Sequence, residues 1–303
     1  MVDSRFFDVI IIGGSYAGLS AAMSLGRSLR NVLIIDGGKP CNRQTPHSHN
    51  FITQDGVEPS RINELAKDQV LNYDTVEFIE DFALNAKKTE SGFNITTLSG
   101  KVFNAHKLIF SSGIKDIMPD IPGFSDCWGI SIIHCPYCHG FENKGKKTAI
   151  YANIPRALHL APLIKNLTGN LTLIIKNMTD LKEDEIQILK NNQVKFIDAD
   201  ITSIEHDLGN LKSIGFSNGE KHSFEALYAS LPFEQHSQIP QELGCAFTDD
   251  GYIDVTPFQE TSIKGVYACG DNSNMFRSVA NAVNTGNFTG AKVNADLANE
   301  QFK

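Results

Sequence analysis

The residues whose types and spacing most directly suggest chemistry are Cys135 and Cys138, in the segment His134-Cys-Pro-Tyr-Cys-His-Gly140. Two thiols three apart can close a small disulfide ring. A Cys-x-x-Cys set ahead of a helix has one thiol pKa lowered by the helix dipole, and the thiolate is the form that exchanges. Two other readings of the pair stay open, a zinc site and two inert core cysteines. Zinc normally takes a second ligand pair at similar spacing. His134 and His139 flank the thiols too tightly to complete a tetrahedron with them. The other cysteines (Cys41, Cys127, Cys245 and Cys269) are isolated in sequence. In a reducing compartment that usage points to redox chemistry or metal binding rather than a disulfide scaffold.

A second cluster is Gly13-Gly-Ser-Tyr-Ala-Gly18. Set against the Gly-x-Gly-x-x-Gly dinucleotide fingerprint, Gly13 and Gly18 fit and Ser15 takes the place of the middle glycine. The first glycine makes a tight turn, the second lets backbone approach a pyrophosphate, and the third lets helix and strand pack closely. Asp36 follows Gly18 by eighteen residues, near the place of the acid that reads a ribose hydroxyl. A glycine turn in some other α/β fold is the alternative.

The elements that must hold these residues follow from hydrophobic period. Phe7–Ile12 and Val32–Ile35 are apolar runs of strand length, as in a parallel sheet covered on both faces. Gly13–Gly18 reads as the turn and Leu19–Arg30 as the helix between them. A helix is expected from Pro59, with Ile62, Leu65, Ala66 and Val70 on one face. Val76–Phe82 reads as a strand, and Phe93–Leu98 with Val102–Phe110 as a hairpin. A second βαβ-like series runs through strand Thr148–Ala152, helix Arg156–Leu167, strand Leu171–Lys176, helix Leu181–Asn191 and strand Val194–Ile197, then short strands at Ile201–Glu205 and Leu211–Phe216. A strand at Gly265–Cys269 and a helix from Arg277 to Ala298 end the chain. The fold class is α/β, with two Rossmann-like, doubly wound units.

The 303 residues suffice for two domains. Net charge is −8 with no dense basic cluster, which argues against nucleic acid as a partner. No apolar run approaches the ~18 residues of a membrane span, and the N-terminus lacks the marks of a signal peptide. A cytoplasmic protein is expected.

Over nearly its whole length the chain resembles the low-molecular-weight thioredoxin reductases. The resemblance rests on Gly13–Gly18, Ser111-Ser112-Gly113 after a buried strand, the Cys135–Cys138 pair, and Gly265-Val-Tyr-Ala-Cys-Gly-Asp271 followed by Arg277. It implies FAD, a homodimer, a split FAD domain at 1–113 and 230–303, and an inserted dithiol domain at 114–229. It implies that Cys138 exchanges electrons with the flavin and that Cys135 faces the substrate. It places at the cofactor Gly13, Gly14, Ser15, Tyr16, Ala17, Gly18, Asp36, Gly37, Lys39, Asn42, His49, Phe82, Ser112, Gly113, Asp271, Arg277, Ser278 and Val279. No metal is implied.

The chain departs from that family twice. Where the inserted domain should carry a second glycine fingerprint for NADPH, it reads Tyr151-Ala-Asn-Ile-Pro-Arg-Ala157, with no glycine from Thr148 to Thr168. Ile154 and Pro155 would crowd a pyrophosphate, and proline removes an amide donor. The place for a 2′-phosphate reads Lys176-Asn-Met-Thr179 rather than paired arginines. NADPH use is therefore not expected. Secondly, His139 stands where thioredoxin reductases place an aspartate as proton donor. Cys-x-x-Cys-His-Gly, together with His47-Ser-His49, is similar to the flavin-dependent dithiol oxidases. Histidine can carry a proton near neutral pH, so His139 is a candidate acid–base.

These readings converge on an FAD enzyme cycling Cys135 and Cys138 between dithiol and disulfide. One form reduces a thioredoxin-like protein or another disulfide, fed by a ferredoxin- or flavodoxin-like donor. Another oxidises a small dithiol with dioxygen. A non-enzymatic flavoprotein sensor is the third. Reducing a protein disulfide would require movement at Ser112–Ile114 and Ala229–Leu231.

Overall fold

A computed structural model describes residues 6–175 and 178–303. The chain divides into two compact units. One comprises the chain up to Arg43 with Phe51–Lys115 and Glu234–Lys303; the other comprises Gln44–Asn50 and Asp116–Phe233.

The first unit opens with β1 (Phe6–Ile12), α1 (Tyr16–Arg27) and β2 (Val32–Asp36). Gly18 thus lies in the first helical turn, because helical geometry begins directly after Ser15 and the expected start at Leu19 is three residues late. Then come α2 (Pro59–Val70), β3 (Val76–Glu80), β4 (Ala83–Lys88), β5 (Phe93–Thr97) and β6 (Val102–Phe110). Along α2, Ile62 and Val70 are buried but Leu65 is exposed, against expectation, since the buried stripe of this helix is narrower than its apolar residues suggest. The short strand β7 (Ile114–Asp116) leads to the second unit.

That unit runs α3 (Phe124–Cys127), β8 (Ile132–Ile133), α4 (Pro136–His139), β9 (Thr148–Tyr151), α5 (Ile154–Lys165), β10 (Leu171–Ile174), α6 (Glu183–Asn191) and β11 (Lys195–Ile197). It continues through β12 (Ile201–Asp207), β13 (Asn210–Phe216), β14 (Lys221–Ser223) and β15 (Ala226–Ala229). The return crosses at β16 (Phe233–Gln235), followed by α7 (Ile239–Glu242), β17 (Val266–Ala268) and α8 (Val279–Gln301). Arg277 precedes α8 rather than opening it: Ser278 is the N-cap, its hydroxyl accepting from the Asn281 amide at 3.1 Å.

The first sheet has the order β3-β2-β1-β6, with β17 parallel beside β6 and the antiparallel meander β4-β5 attached to the other half of β6. Alternation explains why β1 reads as one apolar run. Val9 and Ile11 pack with Ile34 and Leu19 in one core, and Ile10 and Ile12 pack with Leu33 and Phe110 in the other. Strand β4 has no apolar run, which is why the sequence does not reveal it. The second unit repeats the plan in a parallel sheet β11-β10-β9-β15-β8, beside an antiparallel sheet β12-β13-β14. Its strand β15, between β9 and β8 and also not foreseen, is fully buried.

Candidate active site: a dinucleotide cradle and a dithiol

In the first unit, β1 ends in a turn that only glycine fits. Gly13 has φ +107°, and a Cβ there would lie 2.4 Å from the Ser111 carbonyl oxygen. A Cβ on Gly18 would lie 1.9 Å from the Gly13 carbonyl oxygen. Gly14 and Ala17 complete the turn, and Ser15 caps α1 without spending its hydroxyl on a capping bond. The Asp36 carboxylate accepts from the Gly14 amide at 2.9 Å and the Gly38 amide at 3.1 Å, which steadies the loop and leaves each oxygen a second lone pair. The Phe82 ring lies against Gly37, with Lys39 Nζ 5.7 Å from its centroid. Tyr16 donates to the Pro59 carbonyl at 3.2 Å and accepts from Asn42 Nδ2 at 3.2 Å.

Asn42 Oδ1 and Ser112 Oγ are buried and lack a hydrogen-bond partner among the described residues. Orphaned buried polar atoms cost free energy unless a ligand completes them. Gly113, beside Ser112, holds a positive φ of +66° that turns the chain out of the strand end. At the end of β17, Asp271 lies 3.8 Å from Arg277 Nε, and Cys41 Sγ donates to it at 3.7 Å. Cys41 is an exposed residue that the sequence did not single out. The cradle and its orphaned acceptors fit a flavin dinucleotide, and Ser278 and Val279 begin α8, whose positive end favours negative charge.

The dithiol lies in the second unit. Cys135 is itself the N-cap of α4, so the helix does not follow the pair but contains Cys138. Cys138 Sγ lies 2.6 Å from Cys135 Sγ, and the Cys138 amide donates to Cys135 Sγ at 3.2 Å. The hydrogen bond from the Cys138 thiol, aided by the Cys138 and Tyr137 amides and the Arg156 guanidinium, lowers the Cys135 thiol to about 7 despite its burial. By contrast, burial pushes the Cys269 thiol up to about 12. Among the described residues, no group of three or more His, Cys, Asp or Glu side chains is disposed as a metal site.

His139 is held below the ordinary histidine range by burial first and by His49 second, with Glu142 opposing. His49 belongs to the segment Gln44–Asn50 of the second unit, and its Nε2 lies 3.6 Å from Glu142 Oε1. It thus pairs with the carboxylate that follows the dithiol's histidine, while the resemblance groups it with the cofactor residues. The rings of His47 and His49 are 6.5 Å apart. Glu142, three residues after His139, was legible in the sequence as a neighbour on the next turn but was not singled out.

At the C-terminal ends of β9, β10 and β15, where an open α/β sheet binds its ligand, the second unit has a cleft of about 410 Å³. Its walls are largely apolar, including Ile117, Met118, Ile154, Ile174 and Leu231. Asn153 caps α5 with its own side chain, accepting from the Arg156 amide at 3.0 Å, and Pro155 occupies the first turn. Lys176 and Asn177, at the place where a 2′-phosphate would be read, lie outside the described residues.

The pyridine nucleotide-disulphide oxidoreductase family model matches residues 7–286. A thioredoxin reductase of Claviceps purpurea is 31% identical over 98% of this chain and 96% of its own length. One of Aspergillus oryzae is 32% identical over 96% of each. The crystal structure of an oxidoreductase from Agrobacterium tumefaciens superposes with a TM-score of 0.91 at 32% identity, over 97% of this chain and 99% of that one. With its two Rossmann-type units and thiol pair, the chain belongs to the pyridine nucleotide-disulphide oxidoreductases and is a flavin-dependent disulfide oxidoreductase of the thioredoxin reductase type.

Proposed function

We propose that the protein is an FAD enzyme that cycles Cys135 and Cys138 between dithiol and disulfide, with an electron partner other than NADPH. The observation that carries this reading is the contrast within the second unit. The dithiol has a sulfur poised near neutral pH, while the nucleotide cleft has apolar walls and a helix start closed by Asn153 and Pro155. Gly13–Gly18, Asp36, Phe82, Ser112, Asp271 and Ser278 would hold FAD, which when bound supplies two-electron exchange to the pair.

The protein's own residues carry the sulfur chemistry. In the reducing direction the Cys135 thiolate attacks a substrate disulfide, one substrate sulfur leaves, and Cys138 displaces the second by bonding to Cys135. His139, held neutral, takes the proton of the Cys138 thiol as it attacks, and the two substrate sulfurs leave as thiolates that solvent protonates. A thioredoxin-like protein or a small disulfide is the substrate class, supported by the relatives' names and by the exposed Tyr137 and Phe141 beside the pair. Such a chain works as a homodimer in the cytoplasm. No helix among the described residues is long and apolar enough to cross a membrane.

A second reading, oxidation of a small dithiol with dioxygen as acceptor, is favoured by His139 itself, a half-buried base next to Cys138 whose pKa desolvation lowers. Anaerobic titration of the flavin with NADPH, NADH, dithiols and reduced carrier proteins, followed by absorbance, separates these. Bleaching by a dithiol or a reduced carrier but not by NADPH supports the proposal. Rapid bleaching by stoichiometric NADPH overturns it.

A further inference from the structure

Tyr228 is among the largest fully buried side chains, at 1% exposure, yet its hydroxyl has no hydrogen-bond partner among the described residues. Phenylalanine would fill the same space without burying a polar atom, so packing alone does not account for the hydroxyl. Its position gives the reason. Tyr228 lies on β15 in register with Ile133 of β8, and Cys135 follows Ile133 by two residues. The Tyr228 and Ile133 side chains belong to the core closed by Ala157 and Leu160 of α5, the helix whose Arg156 acts on Cys135. Burial, then the negative charges of Cys135 and Glu142, raise the phenol above its ordinary range, so it remains a proton donor at every working pH.

We propose that Tyr228 is a positioning residue for the dithiol, a reserve donor that turns to the Cys135 sulfur when that sulfur is anionic and the hydrogen bond from the Cys138 thiol is lost. In the dithiol, Cys135 is supplied by the Cys138 thiol at 2.6 Å and the Cys138 amide at 3.2 Å. Once the Cys138 proton leaves, the first of these donors disappears while Cys135 remains half-buried. Five other titratable or charged groups act at this site: Cys138 and His139 on α4, Glu142 after it, Arg156 on α5, and His49 through Glu142. Tyr228 contributes a buried hydroxyl with no hydrogen-bond partner among the described residues, whereas the Tyr137 hydroxyl on α4 belongs to an exposed side chain. The inference rests on Cys135 and Cys138 being the working pair.

The test follows Cys135 alkylation by iodoacetamide against pH in the flavin-loaded protein, with the modified peptide identified by mass spectrometry. Tyr228→Phe is compared with Tyr228 in both the wild-type and the Cys138→Ala backgrounds. In Cys138→Ala, loss of the phenol should raise the alkylation midpoint by about one pH unit, so that the reaction at pH 7 slows up to about tenfold. In the wild-type background the shift should be smaller, and thermal unfolding of Tyr228→Phe should be unchanged or higher. Equal midpoints for Tyr and Phe in Cys138→Ala would overturn the inference. So would marked destabilisation by Phe, which would mean the hydroxyl is bonded for structure. Failure of dithiols to bleach the flavin would instead remove the functional reading and leave these midpoints as they are.

Discussion

Replacing Gly286 by alanine tests whether the two long helices of the first unit are held by backbone contact. Gly286 on α8 faces α1 so closely that a Cβ would lie 2.1 Å from the Ala17 carbonyl oxygen, and one on Gly290 would lie 2.5 Å from that of Ala21. Ser20 Oγ donates to the Val283 carbonyl at 2.7 Å and Ser24 Oγ to that of Asn287 at 3.2 Å, so the helices are tied along the same line. Two effects oppose each other. Alanine improves helix propensity by about 1 kcal/mol, whereas overpacking costs about 1–3 kcal/mol. Overpacking wins here because the obstructing atom is backbone, and separation must grow from 2.1 Å to the 3.4 Å of ordinary contact. A net loss of up to about 2 kcal/mol should lower Tm by up to roughly 6 °C. The shift should also reduce bound flavin, because Ala17 sits in the phosphate turn and the Gly270 amide donates to Thr285 of α8 at 3.1 Å. Differential scanning fluorimetry and flavin-to-protein absorbance ratios read both effects. Gly169→Ala is the control, since a Cβ there meets nothing within 4 Å. A higher Tm with full flavin in Gly286→Ala would refute the reasoning.

Three other outcomes are expected. Millimolar NADPH or NADH should leave the flavin oxidised for minutes while dithionite bleaches it, because several charge-assisted phosphate contacts, each worth about 1.5–3 kcal/mol, have no counterpart at the start of α5. In Cys135→Ser, the remaining Cys138 thiolate should give a long-wavelength absorption band with oxidised flavin; the band appearing only in Cys138→Ser would reverse the two roles. Because His139 is depressed in the folded state, the unfolded chain takes up its proton first, so its contribution to stability is complete above pH ~6.5 and lost as pH falls below it. Urea unfolding at pH 7.5 and 5.5 should show wild-type protein losing more stability on acidification than His139→Asn, and an equal loss would contradict this.

Much of this protein is determined by local sequence rules. The apolar run Val9–Ile12 has the length and composition of a strand covered on both faces, which it is, and the Gly13–Gly18 turn admits no side chain at two points. The two thiols of Cys-x-x-Cys are brought together by a single helical turn, so they too were legible. What the sequence could not show depends on residues far apart in the chain. Strand β4 lacks an apolar pattern because only its pairing with β5 defines it. His49 reaches Glu142 across more than ninety residues, and Tyr228 comes beside Ile133, two residues before Cys135, only because β15 lies beside β8. The lower thiol pKa likewise belongs to Cys135 because it takes the N-cap, where the amides and the Cys138 thiol converge on its sulfur. Periodicity and spacing fix local geometry, whereas desolvation and pairing between distant segments exist only once the sheets have closed.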